Sequence, residues 1–150
     1  MEIPIKKQID TQMHSAEHIL NQAMGRLFDC DRCFSAHIER KKSKCDYRFN
    51  RSLTDKELKA LENEVNGVIE AGLPVSEEYV SIDNARERFN LSRLPDDAGD
   101  RVRIVSIGDY DHCPCIGRHV SSTHEIGTFR VTSSGFDDGV LRIRFKLQRP

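Results

Sequence analysis

Several common features are missing from this chain of 150 residues, and each absence argues against a class of protein. No apolar run approaches the roughly 18 residues that a membrane helix needs, and no charged-then-apolar leader opens the chain, so we expect neither membrane insertion nor secretion. Neither sign of charge is in excess: the net charge is −1, so a polyanionic partner must be held by a local basic patch. Five cysteines, an odd number, argue against a disulfide framework and favour a reducing, cytoplasmic compartment.

The histidines and cysteines that are present include two couplets with the same spacing. His14 and His18 stand four residues apart near the start, and Cys115 and His119 stand four residues apart near the end. On a helix or tight turn this spacing places both side chains on one side, about 5 to 6 Å apart at Cβ. One couplet alone is more often a pair of surface or satisfied histidines. Three imidazoles and a thiolate, however, form a donor set that zinc favours, so the two couplets predict one shared Zn²⁺ site.

The periodicity of apolar residues predicts an α+β fold in a single domain, 1–150, with an antiparallel sheet packed against two longer helices. The first helix begins at an Asp10 or Thr11 cap, and it places His14 and His18 at the half-buried edge of its apolar stripe. A capping box at Thr54 opens the second helix, which ends near Gly72. The other predicted elements are hairpin strands at 34–40 and 44–50, a strand at 75–81, a short helix at 85–89, a loop at 94–100, and strands at 102–107, 128–133 and 140–147. The zinc site then lies between the first helix and a C-terminal loop.

Both couplets sit inside longer motifs that resemble those of a known family. His14-Ser-Ala-Glu-His18-Ile-Leu resembles the His-x-x-x-His-Leu-Leu helix of the editing domain shared by alanyl- and threonyl-tRNA synthetases. Cys115-Ile-Gly-Arg-His119-Val resembles its Cys-x-Gly-x-His-Val signature, and Thr123-His-Glu-Ile-Gly127 resembles its Thr-Gly-Glu-Ile-Gly block. The resemblance covers residues 8 to 147 in order. Since no synthetase body accompanies these motifs, the chain resembles the small freestanding alanyl-tRNA editing proteins of the AlaX type.

The resemblance implies a trans-acting deacylase that hydrolyses the ester joining serine or glycine to mischarged alanine tRNA. It implies Zn²⁺ as the cofactor, which either activates water or positions and polarises the substrate. The implied partner is tRNA, bound at its acceptor end, and the chain is expected to have no membrane partner. The implied metal ligands, through which catalysis would act, are His14, His18, Cys115 and His119.

Further residues are candidates for contacts with the tRNA substrate. Arg118 lies between two predicted ligands, so it is the candidate for the terminal phosphate or ribose. Ser35 and His37 fall where the editing domain reads the amino acid, which makes them candidates for substrate contacts. Lys41, Lys42 and Lys44 belong to a basic cluster on the predicted hairpin, which predicts a patch for backbone phosphates.

Glu17 and His124 lie within the motifs, and each has both a possible site role and a structural one. Glu17 lies beside His18, so its carboxylate is a candidate catalytic group that orients a ligand or takes a proton from water. An exposed helix glutamate is nevertheless the commoner arrangement. His124 replaces a glycine of the family block, and we expect a loop histidine outside the site. His14-x-x-Glu17-His18 also fits the inverted zincin pattern, which nothing else in the chain supports.

Two alternatives stay open. Within the family, the substrate is seryl-tRNA for threonine instead of mischarged alanine tRNA. Outside it, Cys30-Asp-Arg-Cys33 with Cys113 and Cys115 would form a Cys₄ structural zinc site in a non-enzymatic RNA-binding module. Against this second alternative, the single residue between Cys113 and Cys115 is an unusual ligand gap, and the paired histidines are left unexplained.

Overall fold

The structure is a computed structural model that describes residues 10–89 and 100–150. Along these residues the helices are α1 (Thr11–Phe28), α2 (Asp55–Ala71) and α3 (Ile82–Arg88). A short 3₁₀ helix spans Thr123–Ile126. The strands are β1 (Ser35–His37), β2 (Ser43–Arg48), β3 (Val75–Ser81), β4 (Arg101–Ile107), β5 (Asp111–Pro114), β6 (Thr128–Asp137) and β7 (Val140–Gln148).

The described strands form two antiparallel sheets. One has the order β1-β2-β7-β6 and the other has the order β3-β4-β5. In β7 the residues Leu141, Ile143 and Phe145 are buried while their neighbours face outward, because successive side chains of a strand alternate between its faces. The predicted α+β fold, with an antiparallel sheet and two longer helices, is confirmed. The second sheet is an addition that the sequence pattern did not separate from the first.

Local capping signals set the limits of the two long helices. The Asp10 side chain accepts the Met13 amide at 2.9 Å and so begins α1. Thr54 and Glu57 form the predicted capping box at the start of α2. Gly72 ends α2 with a φ of +63°, and a Cβ at this position would lie 2.7 Å from the ring of His124. Glycine is therefore required there by backbone conformation and by space.

Helix α1 runs through the centre of the fold. It packs against α2, the 3₁₀ helix and β5, and Tyr47 Oη from β2 donates to Asn21 Oδ1 at 2.8 Å. All residues from Met13 to Asn21 are consequently buried, including His14 and His18, which are only 7% and 4% exposed. The predicted half-buried edge for these two histidines is therefore wrong. Packing on several sides covers a helix whose apolar stripe alone indicated one buried face.

Other elements differ from the prediction in their limits. Helix α3 begins at Ile82 because the Ser81 hydroxyl accepts the Asn84 amide, and β6 continues to Asp137. Strand β5 was not predicted; it pairs with β4 and ends in a proline. The predicted loop at 94–100 lies, apart from Asp100, outside the described residues. None of the described helices is both long enough and apolar enough to cross a membrane.

Candidate metal centre

The two couplets meet in the structure. One potential ligand atom from each of His14, His18, Cys115 and His119 lies within 4.8 Å of the other three. Helix α1 carries the first two residues, and the loop that follows β5 carries the other two. His14 Nε2 is 3.5 Å from Cys115 Sγ, and the His14 and His119 rings are stacked with centroids 4.2 Å apart. The fold therefore brings residues a hundred positions apart into one cluster.

An arginine on β4 holds the loop that contains Cys115. Arg103 Nη1 donates to the carbonyls of Cys115 at 3.1 Å and Gly117 at 2.5 Å. The Cys115 amide donates back to the Arg103 carbonyl at 3.1 Å. Glu77 on β3 accepts from Arg103 Nε at 2.7 Å and so fixes the guanidinium from its other side. The position of the cysteine thus depends on the second sheet as well as on its own loop.

Each of the three histidines of the cluster has a polar neighbour at Nδ1. His14 Nδ1 is 3.1 Å from the Arg118 carbonyl, and His119 Nδ1 is 3.0 Å from Ser15 Oγ. His18 Nδ1 is 3.7 Å from Asp111 Oδ2, slightly beyond a hydrogen bond. A carbonyl or carboxylate at Nδ1 favours a proton on that nitrogen, and a hydroxyl can accept a hydrogen bond from it; in each case Nε2 is left for a metal. All three rings are therefore arranged as metal-binding histidines commonly are.

Asp111, the carboxylate beside His18, is buried. It is 1% exposed, and Arg32 holds it with contacts of 2.8 and 3.2 Å. Gln22 Nε2 adds a donor at 2.9 Å. Burial opposes the charged form, but His18 and Arg32 outweigh it and hold the pKa of Asp111 well below its usual range. Ser15, Asp111 and Arg32 were not predicted as part of the site; only Ser15 had a signal, as a polar residue directly after a predicted ligand.

The cluster favours a thiolate even without a cation. Burial opposes the charged thiolate, but contacts with His119, His14 and His18 lower the pKa of Cys115 to about 3. Burial also opposes the charged form of His18, but Asp111 and Cys115 raise its pKa to about 9. Burial and the two neighbouring histidines lower the pKa of His119 to about 4. The cluster thus combines an anionic sulfur with a neutral imidazole at ordinary pH.

These residues fit a zinc ion. Among the described residues, His119 Nε2 and His18 Nδ1 are buried side-chain atoms without a hydrogen-bond partner. A buried polar atom without a partner is costly, and a cation beside His119 Nε2 would remove that cost. One thiolate and three imidazoles also match the nitrogen and sulfur donors that zinc prefers. Four protein side chains would complete a tetrahedral set.

Glu17 is buried beside the cluster, so the expected exposed helix glutamate is wrong. It is 3% exposed, and its Oε1 lies 3.7 Å from His14 Nε2. Asn21 Nδ2 donates to Oε2 at 3.3 Å, and the Cys33 thiol donates to the same oxygen at 3.4 Å. Glu17, Cys33 and Cys45 form a second buried group whose potential ligand atoms lie within 4.8 Å of one another. This group continues the polar network inward from His14.

The cysteines do not form the alternative Cys₄ site. Cys115 belongs with the histidines and Cys33 with Glu17. Cys30 Sγ is 3.8 Å from the Arg48 carbonyl, and Cys113 Sγ is 3.4 Å from the Pro114 carbonyl. None of the five cysteines, all of which lie in the described ranges, forms a disulfide bond. The Cys₄ interpretation fails because Cys30, Cys33, Cys113 and Cys115 direct their sulfurs to different neighbours.

The remaining predicted residues lie outside the cluster. Ser35 and His37 are exposed on β1, where Ser35 pairs with Asp46 on the outward face of the sheet. Tyr47 on the inward face contacts α1 instead. The structure therefore does not bring Ser35 or His37 to the metal cluster, because strand alternation directs them away from α1.

Four further predicted residues are at the surface or at a helix end. Lys41 and Lys42 are exposed between β1 and β2, while Arg118 is exposed next to His119. His124 lies in the 3₁₀ helix with Nε2 at 2.8 Å from the Glu70 carbonyl. It therefore caps the end of α2, outside the site, as expected.

The fold and the cluster define an α+β protein with a group of two buried histidines, one partly buried histidine and one partly buried cysteine. Residues 102–144 match the family model described as "Threonyl and Alanyl tRNA synthetase second additional domain". Alanine–tRNA ligase of Idiomarina loihiensis is 32% identical over 154 residues, and that of Fervidobacterium nodosum is 33% identical over 141 residues. Each alignment covers 93% of this chain but only 17% and 16%, respectively, of the relative. The chain is therefore similar to the editing domain of alanyl- and threonyl-tRNA synthetases, a small part of these relatives.

Proposed function

We propose that this protein is a zinc-dependent deacylase that acts in trans on mischarged alanine tRNA. It hydrolyses the ester that joins serine or glycine to the 3′-terminal ribose. The observation that carries this proposal is the convergence of His14, His18, Cys115 and His119 in a chain similar to an editing domain. Five cysteines without a disulfide bond suit a reducing, cytoplasmic compartment.

The chain's own residues prepare the site for ester hydrolysis. Zinc held by the four ligands would supply a Lewis acid beside the ester carbonyl. Ser15 and Asp111 lie beside Nδ1 of His119 and His18, an arrangement that favours rings turned with Nε2 towards the metal. Glu17 is the carboxylate nearest His14, and its roles would be to orient that ring or to take a proton from the attacking water. Exposed Arg118 would contact the terminal phosphate or ribose.

A second candidate function is a structural-zinc RNA-binding module without enzymatic activity. The observation that favours it is the number of protein ligands. Four side chains converge here, whereas catalytic zinc sites commonly use three and leave one position for water or substrate. An editing enzyme with this cluster needs one ligand to stand off or the coordination number to increase.

One set of measurements separates these functions. Purified protein is assayed for zinc and then tested in single turnover on seryl- and glycyl-tRNA for alanine and on seryl-tRNA for threonine, with alanyl-tRNA for alanine as the control. We expect rapid loss of the two mischarged alanine tRNAs and little loss of the control. Preference for seryl-tRNA for threonine would move the substrate to that alternative. Tight RNA binding with zinc present but no hydrolysis of any ester would replace the enzyme with the structural module.

A further inference from the structure

Positive charge is concentrated on the outward face of the four-stranded sheet. Strand alternation directs Arg142, Arg144 and Lys146 of β7 away from the buried core. The register pairs Arg144 with Lys44 of β2 and Lys146 with Arg130 of β6, so these side chains share one face. With Arg48 the face carries six cationic strand residues against the carboxylates of Asp46 and Asp137. In a chain of net charge −1, this is a strong local asymmetry.

Much of this charge is not neutralised by neighbours. Arg142 is paired with Asp46 at 2.7 and 2.9 Å, and Arg130 lies 3.6 Å from Glu62. Of the six cations on this face, the other four, Lys44, Arg48, Arg144 and Lys146, form no ion pair with any residue in the ranges 10–89 and 100–150. Cations that face solvent without acidic partners are suited to phosphates, where binding releases counterions from the nucleic acid.

One end of this face lies next to the start of α1, the helix that carries His14 and His18. Arg40, between β1 and β2, and Arg149, after β7, both contact the Asp10 carboxylate, at 3.2 and 3.0 Å. Asp10 caps α1, and His14 follows one helical turn later, a rise of about 6 Å. Lys44, Lys146 and Arg130 lie near this end of their strands. A polyanion held on the face would therefore lie close to the candidate metal cluster, which is beyond that end of the strands.

We propose that this cationic face, defined as Lys44, Arg48, Arg130, Arg142, Arg144 and Lys146, binds the phosphate backbone of the tRNA whose acceptor end enters the metal site. The identity of the RNA rests on the proposed function, whereas the phosphate-binding surface rests on the sheet itself. The face contributes affinity without reading sequence, because contacts to phosphates carry no direct base information. It extends well beyond the lysines predicted on the hairpin.

The test compares two triple variants with equal charge changes. The face variant combines Arg130→Gln, Arg144→Gln and Lys146→Gln, and the control combines Lys56→Gln, Arg86→Gln and Arg101→Gln. All six residues are exposed, so both proteins should fold. The dissociation constant of uncharged alanine tRNA is measured by fluorescence anisotropy at several salt concentrations. We expect the salt slope of log K to fall by roughly 2 to 3 in the face variant, at about 0.7 to 0.9 per lost contact, and to change little in the control.

The same proteins separate failure of the surface from failure of the enzyme. Equal salt slopes for the face variant and the control would overturn the proposed surface, even if wild-type protein hydrolyses mischarged tRNA. A specific loss of binding in the face variant supports the surface, even if wild-type protein hydrolyses none of the esters. That second result would leave the RNA-binding face in place and remove the deacylase.

Discussion

Neighbours of the three imidazoles decide which nitrogen each ring can offer to a metal. A carbonyl, a hydroxyl and a carboxylate stand at the Nδ1 atoms of His14, His119 and His18, at 3.1, 3.0 and 3.7 Å. These partners come from the loop that carries Cys115 and His119, from α1 and from β5. Metal affinity at this site should therefore depend on residues that never touch the ion.

The first residue-scale prediction concerns the ligands. If the couplets share one zinc, the purified protein should carry about one ion per chain, as a single four-ligand site requires. Cys115→Ala and His18→Ala should each lose the metal together with activity, as measured by elemental analysis and deacylation. Cys30→Ala with Cys33→Ala should retain the ion, because neither sulfur lies among the four ligands. The opposite pattern would move the metal to the other cysteines and remove the support for the editing function.

Glu17→Gln tests the buried carboxylate beside His14. The substitution keeps the shape of the side chain and removes its basicity, while the contacts from Asn21 and Cys33 have an oxygen to reach. A general base should cost on the order of a hundredfold or more in single-turnover deacylation with zinc still bound. A loss smaller than about threefold would leave Glu17 as a structural member of the polar network.

Thiol chemistry at mildly acidic pH tests the electrostatics of the cluster. The pKa of Cys115 is lowered from 9.0 to about 3, whereas burial raises the pKa of Cys30 to about 11 and that of Cys113 to about 12. Between these values only Cys115 of the three is a thiolate. At about pH 6, iodoacetamide should modify Cys115 of metal-free, folded protein at least roughly tenfold faster than the other two, by peptide mass spectrometry. Added zinc should protect it; equal rates would contradict the predicted thiolate.

At the scale of elements, α1 carries two of the four candidate ligands, and its burial differs most from the prediction. Its limits follow from local rules, since Asp10 and the apolar repeat are readable in the sequence. Its burial does not, because the cover over His14, Glu17 and His18 comes from distant segments such as β5. Asp111 could not be predicted as a partner of His18 for the same reason: only strand pairing in the second sheet brings it there.

Arg103 gives the element-scale prediction. It joins β4 to the ligand loop through the Cys115 and Gly117 carbonyls, so Arg103→Gln should loosen the loop without removing a ligand. We expect weaker zinc retention in competition with a chelator, and a weaker sulfur-to-metal charge-transfer band in cobalt-substituted protein. Arg101→Gln, an exposed change on the same strand, is the matched control. Equal chelator competition in the two variants would show that the loop holds its shape without the arginine.

Considered as a whole molecule, the candidate metal site joins α1, the first described helix, to the loop that follows β5. The pairing of the couplets was predictable from their matched spacing and from the order of the motifs. The path that joins them was not, because β5, the 3₁₀ helix and the division into two sheets depend on long-range contacts. A metal at this junction contacts only the folded arrangement, so it should stabilise the entire fold.

Thermal unfolding measures that linkage. A ligand present at a thousandfold its dissociation constant stabilises the native state by about 4 kcal/mol, which for a chain of this size corresponds to a Tm increase of roughly 8 to 16 °C. Removing zinc with a chelator should therefore lower the Tm of wild-type protein by that order, and restoring zinc should reverse the change. Cys115→Ala should start from the lower Tm and not respond to chelator, since it lacks the thiolate ligand. A Tm that chelation leaves unchanged in wild-type protein would mean that the couplets meet without a structural ion, and the cluster would then owe its geometry to Arg103, Ser15 and Asp111 alone.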